Sequence, residues 1–190
     1  MLLYRVFFHD ATAKPGHSGS AQYLHKPQGG GRWDNPHLYD AWYLAKSPEA
    51  AIGETFGNLA TWSTGMFDTG TGARRAMATF EVPDDLAIFD FDDAANLQRI
   101  GMRPSAVVIR NTPATQARAT DLFNERNPDG SRRWAALQWW SYHSPHWQNL
   151  MLWATPTEPA PLTLVDVMHL SLTSPSVAAA AKTLRKISEP

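Results

Sequence analysis

Residues 2–8 are apolar on both alternating faces, as in a central strand, and only Arg5 interrupts them. From 11 to 31 no period survives among Gly, Ser, His and Pro, which predicts a long loop. Residues 41–45, with Trp42, Tyr43 and Leu44, are too apolar for a loop and too few for a helix, so a strand is expected there. Ser47-Pro48-Glu49 then opens a helix: a hydroxyl N-cap, a proline preset for the first position and an acid at the positive end of the dipole. Ala51, Ile52, Thr55, Phe56 and Leu59 share its apolar face.

The stretch 61–75, with Gly65, Gly70 and Gly72, predicts a second loop able to act as a lid. Strands are expected at 77–82, 86–91 and 106–109, with a helix from Asp92 or Asp93 to Gly101 and another from Thr112-Pro113 to Glu125. Further strands fall at 137–141, 150–153 and 163–170. Ser174-Pro175 caps a last helix whose Val177, Ala181, Leu184 and Ile187 lie near one face. Pro156, Pro159 and Pro161 mark a connector, and no internal repeat is visible. The pattern predicts one α+β domain over 1–190, a central mixed or split sheet flanked by helices, with its core in 3–153 and a terminal strand and helix in 163–187.

Composition narrows the chemistry. With no cysteine, disulfide frameworks, thiolate zinc sites and cysteine nucleophiles are excluded, and a reducing cytoplasm is the expected location. Seventeen basic and eighteen acidic residues nearly cancel, so no global field recruits nucleic acid or an anionic membrane. The apolar start meets Arg5 and Asp10 too early for a secretory leader, and no apolar run approaches the ~20 residues that span a bilayer. Eight tryptophans suit both a core and a site for planar ligands.

The candidate chemistry starts at Gly29-Gly30-Gly31-Arg32-Trp33, a segment able to approach an anionic ligand closely, with a guanidinium fork at its end. Arg5 is either an edge residue facing water or a buried anchor for an anion. Glu54 lies nearly opposite Ile52 on its helix, and periodicity alone makes it a solvated carboxylate. His143 and His146 have a spacing seen in metal sites, but Pro145 breaks the turn between them and no cysteine or nearby acidic cluster completes a shell. No metal is expected, and these histidines are placed at a pocket rim with Gln148 and Asn149. His9-Asp10 reads as a strand-end turn.

Arg32, Tyr43 and Glu54 stand eleven residues apart in turn. Together with Arg5 in Tyr-Arg-Val and Ser141 in Trp-Trp-Ser they resemble the pattern of the RES-domain family, named for an arginine, a glutamate and a serine, from Leu3 to about Trp153. The resemblance implies an ADP-ribosyltransferase-like fold and a toxin that cleaves NAD at the nicotinamide–ribose bond, passing ADP-ribose to phosphate, water or a protein acceptor. It implies Arg5 and Arg32 on the diphosphate, Tyr43 against the nicotinamide, Glu54 stabilising the sugar cation, and Ser141 orienting ribose or nicotinamide. A small helix-turn-helix antitoxin, with which the chain could form an oligomer, is the implied partner.

The sequence departs from the family's commonest wording at Asp34, where asparagine is usual, and at His37 and Leu38, where a glycine is. The chain between Glu54 and Ser141 is also long, which suggests an inserted lid or altered acceptor specificity. Two other classes of function fit the residues: a non-catalytic nucleotide- or sugar-binding module, and a protein-interaction role through the tryptophans.

Overall fold

In the computed structural model, which describes residues 1–70, 72–108 and 111–189, the opening apolar run forms β1 (Leu2–His9) and the aromatic run after the long loop forms β2 (Asp40–Ala45). Helix α1 (Pro48–Phe56) follows, its first turn closed by Ser47, whose Oγ accepts from Ala50 N. Next come β3 (Thr61–Ser63), a 3-10 turn (Thr64–Phe67), β4 (Arg74–Glu81), β5 (Ile88–Asp90), α2 (Ala94–Arg99) and α3 (Pro104–Val107). The remaining elements are α4 (Thr112–Asn124), β6 (Ala136–Trp140), β7 (Gln148–Ala154), β8 (Thr163–His169), α5 (Pro175–Thr183) and β9 (Ile187–Glu189). No helix among the described residues is long and apolar enough to cross a membrane.

Seven strands form one mixed sheet in the order β5-β6-β7-β2-β1-β4-β8, parallel only between β5 and β6. Side-chain alternation divides the interior. On one face Trp33, Phe91, Leu137, Trp139 and Met151 pack beneath α3 and α4, while Ile52, Trp62, Phe67, Met77 and Val177 pack beneath α1 and α5. Leu3, Phe7, Leu44, Phe80, Leu150 and Leu152 cover the opposite face. The α+β class and mixed sheet expected from the pattern are therefore what the chain forms.

Four expectations need correction. Residues 106–108 do not make a strand: Pro104 starts the short helix α3, and Val107, fully buried, plugs the aromatic cluster instead of pairing. Ile109 of the expected strand lies outside the described residues, as does Thr71 of the loop expected over 61–75. That loop is not a free lid over its first half. Trp62 is fully buried and donates Nε1 to Phe56 O, Phe67 is buried, and β3 pairs in parallel with β9. Leu59 and Ile187 leave their expected helical faces because α1 ends at Phe56 and α5 at Thr183; both are exposed. Ser174 stands at the N-cap of α5, but its hydroxyl accepts from Ser171 N and not from the helix.

Helix α1 is pressed at Gly53 against the turn between β6 and β7, where an added Cβ would lie 2.1 Å from the Trp147 ring. Alanine gains about 1 kcal/mol of helix propensity over glycine, but overpacking against a rigid buried indole costs about 1–3 kcal/mol, and at this distance the clash dominates. Gly53→Ala therefore lowers the denaturation midpoint in a urea titration. An unchanged or raised midpoint would mean that Trp147 can move aside.

Candidate active site

The sheet is nearly split along its middle. Strands β1 and β2 pair only at Tyr4 and Ala45, whereas β2 stays paired with β7 from Asp40 to Ala45 and β1 with β4 along its whole length. Beyond Tyr4 and Ala45 the two strands diverge, and Gln28 replaces the missing strand partner: its Nε2 donates to Ala41 O and its Oε1 accepts from Ala41 N. The opening holds two adjoining cavities, of about 240 and 320 Å³. Arg5 and Tyr43 line both. Glu54, Thr55, Trp139 and Asn149 line the first; His25, Gln28 and Gly29 to Gly31 line the second.

Arg5 leaves β1 between Tyr4 and Val6 at this opening. Its Nη1 donates to Tyr23 O at 2.9 Å, and its guanidinium lies 5.2 Å from the Trp42 ring centre. Burial lowers its pKa from the ordinary value, yet a guanidinium keeps its charge in a protein. Among the described residues neither Arg5 nor Arg32 is in an ion pair. A desolvated cation with no carboxylate partner, facing a cavity, favours an anionic ligand.

Glu54 projects from α1 into the first cavity. The helical period correctly makes it exposed; what periodicity cannot show is that the exposed side of α1 at this point faces the opening between the strands. Its Oε1 accepts from Asn149 Nδ2 at 2.7 Å. Tyr43 is fixed edge-on to Trp139, with ring centres 6.2 Å apart, and its hydroxyl accepts from Trp33 N and donates to Asp34 Oδ1 at 2.7 Å. Burial, then the Asp34 charge, raise the Tyr43 pKa and keep it neutral, so the phenol is committed and the ring is what it presents to the cavity.

Asp34, buried, is the centre of the glycine loop. Its Oδ2 accepts from Gly29 N at 2.8 Å and Gly31 N at 2.7 Å. A Cβ on Gly31 would lie 2.5 Å from the Tyr43 hydroxyl and 2.6 Å from Asp34, which is why glycine stands there. The amides of Gly29 and Gly31 thus serve Asp34 and not a ligand. The aspartate that departs from the family's wording organises the loop internally, and with Trp33 N already donating to the tyrosine, a carboxylate is the group that accepts from both the loop and the phenol.

Arg32 and Ser141 do not line either cavity. The Arg32 guanidinium donates to Val107 O and, at 3.2 Å, to Val108 O, which satisfies the end of α3; burial lowers its pKa and the nearby Glu54 charge opposes that shift. Ser141 is buried, with its N donating to Trp147 O at 2.7 Å and its Oγ accepting from His143 N at 3.0 Å. It closes the turn that lays Trp147 on Gly53 and His143 beside Gly57, the residue that caps the C-terminus of the helix carrying Glu54. Of the residues expected at the rim, Asn149 lines the cavity, whereas His143, His146 and Gln148 do not. Among the described residues no group of three or more His, Asp or Glu side chains could hold a metal ion.

Tyr39 shores up the loop from below, donating to Trp33 O at 2.7 Å, and burial pushes its pKa from 10.0 up to about 12. The folded protein therefore holds this proton where the unfolded chain loses it, and stability falls as pH rises from 10 to about 12. Denaturant midpoints measured across that window should decline for the wild type and decline less for Tyr39→Phe; equal slopes would exclude Tyr39 as a source.

The family model described as RES domain matches residues 2–174. No curated protein matches the sequence. Among solved structures, a chain of the M. tuberculosis MbcT–MbcA toxin–antitoxin complex is similar in fold, with a TM-score of 0.56 at 18% identity, over 97% of this chain and 89% of that one.

Proposed function

Because the chain belongs to the RES domain family, we propose that it is an enzyme that cleaves NAD at the nicotinamide–ribose bond and acts as the toxin of a toxin–antitoxin pair. The observation that carries this reading is that Glu54 and Arg5 line the same opening in the sheet without bonding to each other: a carboxylate held by a hydrogen bond, and a desolvated guanidinium with no acidic partner among the described residues. In the reaction the bond from the anomeric carbon to nicotinamide breaks, and nicotinamide leaves as a neutral molecule with the bonding pair. The sugar is left cationic, and Glu54 stabilises that charge. Arg5 holds the diphosphate, Arg32 adds positive charge from the end of α3, and the Tyr43 ring faces the nicotinamide. Ser141 supports the wall behind Glu54.

The acceptor is phosphate, water or a protein nucleophile; each forms the new bond to the anomeric carbon and gives up its proton to solvent. A small helix-turn-helix antitoxin covering the opening is the partner that fits, in line with the toxin–antitoxin complex of similar fold, and cytoplasmic NAD is the substrate pool. Incubating the purified protein with NAD, with and without phosphate, tests the reading. Free nicotinamide is expected, and the accompanying product identifies the acceptor: ADP-ribose, its anomeric phosphate, or a protein gaining the mass of ADP-ribose. NAD that binds and is recovered intact would make the chain a binding module.

A further inference from the structure

Resting on that reading, we propose that Asn149 is a positioning residue that fixes the carboxylate of Glu54 toward the reacting sugar. Asn149 stands on β7, opposite Ala45 of β2 and Trp139 of β6, so it is held by paired strands on both sides. It is 5% exposed, and Leu150 and Met151, which follow it along the strand, are fully buried. One half of its carboxamide is spent on Glu54, with Nδ2 donating to Oε1 at 2.7 Å; the other half, Oδ1, is buried with no hydrogen-bond partner among the described residues.

A carboxamide in this place is a poor device for stability. Burying an amide with one end unsatisfied is unfavourable, and an apolar side chain of similar volume would remove the unmatched acceptor altogether. What the asparagine provides that leucine cannot is a donor aimed at the exposed side of α1. Glu54 has a long side chain with solvent around it, and without that donor its carboxylate would move among rotamers. A charge-assisted hydrogen bond from a rigid central strand removes that freedom before substrate arrives. The partners are 95 residues apart in sequence, and the link ties α1 to β7.

The test separates positioning from packing. Asn149→Leu removes the donor and the unmatched acceptor together: its melting temperature should equal or exceed that of the wild type, while kcat for nicotinamide release falls ~10- to 100-fold with KM little changed. Asn149→Asp keeps the shape and loses the donor, and should lose at least as much. On a Glu54→Gln background the same changes should cost little more, because Asn149 acts through Glu54. A variant that loses activity only in proportion to its melting temperature, or equal losses on both backgrounds, would overturn the inference. One arm does not depend on turnover, so it separates this inference from the NAD reading. In the ligand-free protein the side-chain amide resonances of Asn149 should shift in Glu54→Ala, and unmoved resonances would overturn the contact whatever the substrate proves to be.

Discussion

Glu54→Gln is expected to lower the rate of nicotinamide release by ~100-fold or more while NAD affinity changes little. The substitution is close to isosteric, and glutamine still offers an oxygen to Asn149 Nδ2, so the side chain keeps its anchor and α1 its place. What disappears is the negative charge. NAD in its ground state carries its positive charge on the nicotinamide ring; as the bond breaks, that charge passes to the sugar, and a fixed carboxylate beside it gains most at that moment. The loss therefore appears in kcat and not in binding. A Glu54→Gln protein with near-normal turnover would exclude the role, and one with equal losses in affinity and turnover would make Glu54 a ligand-binding group only.

Arg5→Ala should weaken NAD binding by ~10- to 100-fold, the range expected when charge-assisted hydrogen bonds to a phosphate are removed. Arg5 lines both cavities, and the Trp42 ring and Tyr23 carbonyl hold its guanidinium at their junction. Arg5→Lys should recover only part of the affinity, since an ammonium lacks the planar fork. Arg32→Ala should also weaken binding but lower stability as well, because it strips two carbonyls at the end of α3 of their donor. Calorimetry showing unchanged NAD affinity in both alanine variants would move these arginines to a structural role.

The strands and helices with a complete local signal were legible in the sequence. Ser47-Pro48-Glu49 announces α1, and the continuous apolar run around Arg5 announces β1. Elements defined by distant partners were not. Thr61–Ser63 and Ile187–Glu189 are each three residues long and pair only with one another, so neither stretch has a period of its own. The apolar pattern around Val107 gave no sign that this residue would plug the aromatic cluster, a destination that depends on Trp33 and α4.

The site shows the same limit. Spacing relates Arg32, Tyr43 and Glu54 in sequence, yet the structure sets Arg5, Tyr43 and Glu54 around the opening and turns Arg32 toward Val107. Periodicity made Glu54 exposed, and it is; that this exposure is toward a cleft follows from the divergence of β1 and β2, which depends on strand pairing over long separations. Asp34 signalled itself only as a departure from the family's wording; two of its hydrogen bonds, from Gly29 N and Gly31 N, are local to the loop, and the third depends on the loop's return to Tyr43.

The central claim is that this opening breaks the nicotinamide–ribose bond and does not merely hold a nucleotide. Proton NMR of NAD in a single tube follows the nicotinamide ring protons in the bound nucleotide and in the free base at once. With the wild-type protein, the NAD signals should be replaced one for one by free nicotinamide, and with Glu54→Gln at the same concentration they should persist. NAD signals that broaden on binding but stay undiminished with the wild type, or that vanish equally fast with Glu54→Gln, would contradict the account.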